Sequence, residues 1–224
     1  MTKKSHNQPG WVRVNRFSFL LISIVLFMIL RPFVEDLVGI SFLMEIFVSV
    51  ILLSGIYAVS EDRMSLVFVL LPGVPTLFLS WFFPLLKNPT LLLMHHICGG
   101  LFFGVATIII LRHLLNQKVV SVDLIWGAVC GYFFIGFVWA DIYYLLETIQ
   151  PGSFNLGQQA AGIDSFNYFS FVTLATLGYG DIVPLTKQAR SLTIIEAVMG
   201  QMYIAVNIAA LVAIRISQSR SRDS

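Results

Sequence analysis

Long apolar runs divided by short polar breaks set the pattern of this chain. Residues 17–30 are apolar apart from Ser18 and Ser23, and they reach the ~20 residues needed to cross a ~30 Å hydrocarbon core by taking in neighbours from 11–16 or from Phe33 and Val34. Further runs predict spans over residues 40–59, 64–83, 90–115, 122–146 and 187–216. The breaks at 31–36, 60–63 and 84–89 carry the charges, prolines and asparagine of short connections. Pro72, Gly73 and Pro75 interrupt the third run and predict a kink there. One segment departs from the pattern. Residues 165–175 read as a helix with Asp164 or Ser165 as its N-cap, yet they reach only about half way across the core. That helix is therefore re-entrant, and the irregular backbone after it must line a watery cavity or lie within protein.

Composition places the chain in the membrane. Of its 224 residues, 57% are hydrophobic and 12% charged, with a mean hydropathy of +0.84, whereas soluble domains carry about a quarter charged residues. A net charge of +2 without like-charge runs excludes a nucleic-acid partner. Arg31-Pro32 follows the first apolar run where a leader would have small residues, so the run reads as a retained helix. Cys98 and Cys130 lie inside apolar runs as buried thiols and are assigned no chemistry.

Basic residues on alternate sides set the orientation. With the amino terminus inside, Lys3, Lys4, Arg13, Arg16, Arg63, Arg112, Lys118, Arg215, Arg220 and Arg222 are cytosolic, while Arg31, Lys87, Lys187 and Arg190 are outside. Both termini then face the cytosol and Asp181 the outer side.

The polar, glycine-paired string Thr176-Leu177-Gly178-Tyr179-Gly180-Asp181 carries the chemistry. A dehydrated cation in a low-dielectric membrane needs oxygens in place of its water shell, and rings of backbone carbonyls from four loops can supply them. Aiming successive carbonyls at one axis requires alternation between ordinary and left-handed backbone, which glycine adopts without steric cost. The string resembles the selectivity filter of potassium channels. The likeness extends to residues 168–175 as a pore helix and to Asp181-Ile182-Val183-Pro184 as an exit turn. It implies that Thr176 gives its carbonyl and hydroxyl, and that Leu177, Gly178 and Tyr179 give carbonyls, so that residues 176–180 form the K+ site. It also implies that Asp181 braces the filter, with Thr173 and Glu196 as further support. Some potassium channels pair that aspartate with a pore-helix carboxylate; Val172 stands in the matching place here. Phe166, Tyr168, Phe169 and Phe171 are expected to pack around Tyr179. The negative end of the pore-helix dipole would point to where a cation waits.

Six spans with the pore in the last two resemble the layout of voltage-gated cation channels, but the fourth run offers His95, His96, Arg112 and His113 without an arginine at every third position. One charge crossing the field is worth ~2.3 kcal/mol per 100 mV and strong sensors use several, so weak or absent voltage dependence is expected. His95 and His96 project about 100° apart on a helix and suit local hydrogen bonds or the outer interface better than one shared metal. Glu45 and Glu196, ionisable groups within spans, have either a functional role or a packing hydrogen bond. Gly200 admits two readings, a gating hinge or close helix packing. Asn207 is placed facing an aqueous cavity, and Ala205, Ala209, Ala210 and Ala213 offer small surfaces for helix approach.

The expected fold is an all-α membrane protein of six transmembrane helices plus a re-entrant pore helix and filter loop, assembling as a homotetramer because one chain supplies one filter strand. Residues 1–16 form a cytosolic tail, 17–115 a four-helix peripheral domain, 116–216 the pore domain and 217–224 a second tail. The short Ser/Arg tail leads to the expectation of no cytosolic regulatory domain. The expected function is passive potassium conduction in a plasma membrane, without enzyme chemistry, with no cofactor, no small-molecule substrate and membrane lipid as surroundings. Short loops and tails point to a prokaryotic membrane. A potassium transporter subunit and a non-conducting or regulatory membrane subunit are the alternatives.

Overall fold

The computed structural model describes residues 16–34, 41–59, 63–86, 88–117, 120–157 and 162–220. Residues 1–15 and 221–224, which hold most of the expected tails, and Lys87 and Lys118 in the connections lie outside the described residues. Among the described residues, seven helices and two short strands follow in chain order. They are α1 (Arg16–Val34), α2 (Ser41–Val59), α3 (Arg63–Leu86), α4 (Pro89–Asn116), α5 (Val122–Ile149), β1 (Phe154–Asn155), α6 (Ile163–Leu174), β2 (Val183–Pro184) and α7 (Lys187–Arg220). Among the described residues, α1, α3, α4, α5 and α7 are long and apolar enough to cross a membrane, while the described apolar part of α2, Glu45–Val59, is shorter. The architecture is all-helical apart from the two-residue strands, as the apolar runs imply.

Local chemistry explains several ends. Asn88 caps α4 by accepting from the Thr90 amide at 2.9 Å, with Pro89 in the first turn where its missing donor costs nothing. Ser121 caps α5 through the Leu124 amide at 3.1 Å. Thr186 precedes α7 and accepts from the Ala189 amide at 3.3 Å. The expected cap of α6 is corrected: Gly162 takes the position in extended backbone without a side-chain bond, and Asp164 lies inside the first turn. There its carboxylate faces the positive end of the helix and pairs with Arg31 from the end of α1. The Pro72-Gly73-Pro75 segment leaves α3 unbroken as a helical element over 24 residues. Thr76 donates to the Pro72 carbonyl at 2.8 Å, and Gly73 lets the ring of Phe102 on α4 come close, 3.0 Å from where a Cβ would stand.

Helix α5 sits at the centre. It packs on α4 and α1 on one side and on α6 and α7 on the other. Cys130, Phe134 and Phe137 join a core with Phe17, Leu20, Ile24, Leu52, Val69 and Phe102. Ile135, Trp139 and Tyr143 join another with Phe154, Phe166, Phe169, Leu174 and Tyr203. Spacings of three and four residues put the two sets on different faces of one helix. The Phe17 amide reaches Asp123 at 3.2 Å near the start of α5, so α1 and α5 run the same way and the start of α6 lies at their far end. The loop before α6 contains β1, which pairs antiparallel with β2 beyond residues 176–181.

Candidate functional site

The filter string begins as the end of a helix. An α-helix leaves its last four carbonyls without intrahelical partners. In α6 all four are used: Phe171 accepts from the Ala175 amide at 3.0 Å, Val172 from Leu177 at 2.9 Å, Thr173 from Thr176 at 2.9 Å, and Leu174 from the Tyr132 hydroxyl at 3.1 Å. The Leu177-to-Val172 and Thr176-to-Thr173 bonds together are a Schellman motif, whose residue beyond the cap adopts left-handed backbone. That residue is Thr176, with φ of 57°. Glycine is the usual occupant, and a non-glycine residue held there stores on the order of 1–3 kcal/mol of strain.

The left-handed conformation then recurs at every second residue, with φ of 57° at Gly178 and 80° at Gly180, while Leu177 and Tyr179 lie outside that region. Alternation of hand gathers successive amides on one edge of a chain and leaves the carbonyls to the other. A Cβ at Gly178 or Gly180 would meet nothing within 4 Å. Glycine is therefore required there by conformation, not by space. The sequence argument foresaw this alternation at the two glycines; the structure begins it at the threonine, because the helix end imposes it.

Leu177 and Tyr179 are 56% and 67% exposed in the single chain. Within the single chain, Phe166, Phe169 and Phe171 pack elsewhere than around Tyr179. Phe166 and Phe169 are buried against Tyr143 and Phe154, and Phe171 lies against Phe133 and Phe137. The aromatic face of α6 turns toward α5, where apolar surface awaits it. Tyr168 instead serves Asp181: its hydroxyl, hydrogen-bonded to the carboxylate, holds that exposed group below its ordinary pKa.

The exit from the filter is clipped to the segment before α6. Phe154 pairs with Pro184 and Asn155 with Val183, the Leu185 amide donates to the Ser153 carbonyl at 2.8 Å, and Arg190 donates to Pro184 at 3.3 Å. Glu147 closes the turn at the end of α5 by accepting from the Gly152 and Phe154 amides at 2.8 and 3.1 Å. Gly157 passes so near the Asp181 carbonyl that a Cβ would stand 3.3 Å away.

Behind α6, Glu196 is fully buried and linked to two other helices. Its Oε2 lies 2.5 Å from the Tyr143 hydroxyl on α5, and its Oε1 lies 2.6 Å from the Ser170 hydroxyl on α6. Gly200 stands against the Leu174 carbonyl, with an ideal Cβ 2.5 Å from that oxygen and 3.0 Å from Leu174 Cδ1. This close approach supplies a packing reason for a glycine in α7. Asn207 is corrected: it is 6% exposed and donates to the Tyr203 carbonyl at 2.7 Å, so within the chain it turns toward its own bundle instead of a cavity. Tyr203 in turn donates to the Ala128 carbonyl at 2.7 Å.

The structure thus brings Thr173, residues 176–181, Glu196 and Gly200 around the end of one short helix. Sequence reasoning missed Tyr132, Tyr143, Ser170 and Tyr203. Their signal was present, since a hydroxyl inside an apolar run must find a partner. Among the described residues no group of three or more metal-ligating side chains is found.

Residues 128–216 match the family model described as an ion channel. Over 62 residues the chain is 37% identical to the inward rectifier potassium channel Kirbac3.1 of Paramagnetospirillum magnetotacticum, a match covering 28% of this chain and 18% of that protein. The chain thus spans less than a fifth of this relative's length in the match. No solved structure matches significantly. The family-model match falls on the part that holds α5 to α7, and both comparisons liken this chain to ion channels.

Proposed function

We propose that this chain, as a member of the potassium channel family, forms a potassium-selective channel in which four copies surround one axis. The observation that carries the reading is the left-handed backbone at Thr176, Gly178 and Gly180, seated on the Schellman end of α6. Four such strands would present rings of carbonyls from residues 176–180, with the Thr176 hydroxyl at the inner end, in place of a cation's water. Asp181 and Thr173 would brace the strand from its two ends, and Gly200 would let α7 lie against the pore helix or bend there. The apolar surface that α7 leaves exposed, including Ile194, Val198 and Met202, would meet the neighbouring subunit and the lipid. The orientation proposed puts both termini in the cytosol and Asp181 at the outer mouth of a prokaryotic plasma membrane.

Weak or absent voltage dependence belongs to the same reading, because α4 carries Arg112 and His113 near one end and no arginine repeat. A steep conductance–voltage relation flattened by Arg112→Gln would contradict it.

The experiment is potassium flux into liposomes holding the purified protein, with sodium as competitor and Gly178→Ala as control. Flux that prefers potassium and is lost in the variant is expected. Equal flux of both ions would overturn selectivity. No flux from folded tetramers would favour the non-conducting or regulatory subunit, and flux that depends on a coupled ion gradient would favour the transporter.

A further inference from the structure

The hydrogen bonds around Glu196 contain one more contact than its hydroxyl neighbours have protons. Three oxygen–oxygen contacts meet there: Tyr143 to Oε2 at 2.5 Å, Ser170 to Oε1 at 2.6 Å, and Ser170 to the Gly136 carbonyl at 2.8 Å. Each is a hydrogen-bond distance and needs a proton between its oxygens. Tyr143 and Ser170 bring one proton each, and a backbone carbonyl brings none. Thr193 beside Tyr143 cannot make up the difference, since its own proton has an acceptor in the Ala189 carbonyl at 2.8 Å. One Ser170 proton shared between two acceptors would lengthen both contacts, and neither is long.

We infer that Glu196 carries a proton in the folded protein and donates it to Ser170, which passes its own to the Gly136 carbonyl, while Tyr143 donates to the other carboxyl oxygen. The result is a directed chain of bonds from α7 through α6 to α5. Its backbone end is set by the packing of the same helices, because the Phe171 ring of α6 lies 2.5 Å from where a Cβ on Gly136 would stand. Glu196 is thereby a positioning residue: it holds the pore helix against both long helices of the pore half. This rests on the channel reading only for its consequence for conduction. The titratable groups that face it are Tyr143 and Tyr132 on α5. From α6 it meets Ser170, and among the described residues it has no cationic partner. Removing the proton would leave Ser170 with one proton for two acceptors. The carboxylate and the Gly136 carbonyl would then compete for it, and the link from α6 to α5 would weaken.

The test combines infrared spectroscopy with thermal unfolding of the full chain purified in detergent. A band from a protonated carboxyl at neutral pH, absent in Glu196→Gln, is expected. Glutamine can give an amide proton to Ser170 and accept from Tyr143, so Glu196→Gln should melt within roughly a degree or two of the parent, whereas Glu196→Ala should fall by several degrees. The parent should lose stability steadily as pH rises from the ordinary carboxylate range until Glu196 ionises in the folded chain, along a profile that Glu196→Gln lacks. Absence of the protonated band, or a Gln variant that melts as low as the Ala variant, would overturn the proposal. Neither readout requires conduction, so a protein that carries no flux but shows the band would count against the channel reading and leave this one standing.

Discussion

The two halves of this molecule satisfy their buried polar groups in different ways. In α1 to α4 the hydroxyls turn back onto their own helix: Ser23 donates to Phe19, Ser54 to Ile51, Thr76 to Pro72 and Thr107 to Phe103. In α5 to α7 Thr148 and Thr193 do the same, but others reach across: Tyr132 to Leu174, Tyr143 to Glu196, Ser170 to Glu196 and Gly136, and Tyr203 to Ala128. An intrahelical bond is kept if a helix slides or turns against its neighbour, while a bond between elements fixes their register. Apolar packing, which is non-directional, then holds most of the peripheral half, and directional bonds hold the pore half. The filter strand proposed above, which would have to place oxygens to within a fraction of an ångström, would need the second kind of scaffold.

The peripheral half has cross-helix bonds too, such as Trp81 of α3 to Ser49 of α2 at 2.9 Å, and the most buried of them is the surest way to break this contrast. His96 on α4 lies 2.7 Å from Asp141 on α5, both buried, and Asp141 stands over Gly99 and Gly100. It is a directional tie from the peripheral half to the helix that both halves share. Asp141→Ala should cost about 3–5 kcal/mol in thermal unfolding, because it leaves a buried histidine without its partner. Replacing His96 and Asp141 together by leucine should recover most of that loss. If the single variant melts like the parent, the tie is not structural and the two halves are joined by packing alone.

A smaller effect is expected at Gly200. Alanine there would press on the Leu174 carbonyl, and overpacking of this kind costs about 1–3 kcal/mol. Melting and flux of Gly200→Ala should fall together if close packing is the glycine's task; a normal melting temperature with altered opening would assign it to bending instead.

The smallest difference sharpens the contrast directly. Tyr203→Phe removes a bond between α7 and α5 and should cost about 1 kcal/mol. Thr107→Val removes one within α4 and should cost no more than about 0.6 kcal/mol. Equal costs in a matched pair of melting curves would mean that the location of a hydroxyl bond does not matter here.

Much of this was legible in the chain. Apolar length marked the long helices, and the glycine-paired string marked the left-handed backbone at Gly178 and Gly180, because both signals are local. Missing were the properties that depend on distant residues. The left-handed backbone of Thr176 follows from how α6 ends, and no preference of threonine predicts it. The partners of Glu196 lie 26 and 53 positions away, and the strand pair joins segments on opposite sides of the pore helix. Asn207 was placed in a cavity because a polar residue in an apolar helix suggests water, yet its side-chain nitrogen donates to a carbonyl one turn earlier. The aromatic face of α6 was assigned to Tyr179 for its nearness in sequence, whereas α5 offered the larger apolar surface.

The pairing of Phe154 with Pro184 has a consequence for how this chain can change over generations. It makes the stretch from 154 to 184 an excursion that leaves and returns at one point, so the ends of α5 and α7 keep their separation whatever happens in between. For a flexible loop, doubling the length costs only about 0.6 kcal/mol in closure entropy. Residues could be inserted or exchanged within this excursion, outside the pore helix and filter, while the long helices stay in register, which makes the segment a cassette that evolution can rewrite piecemeal.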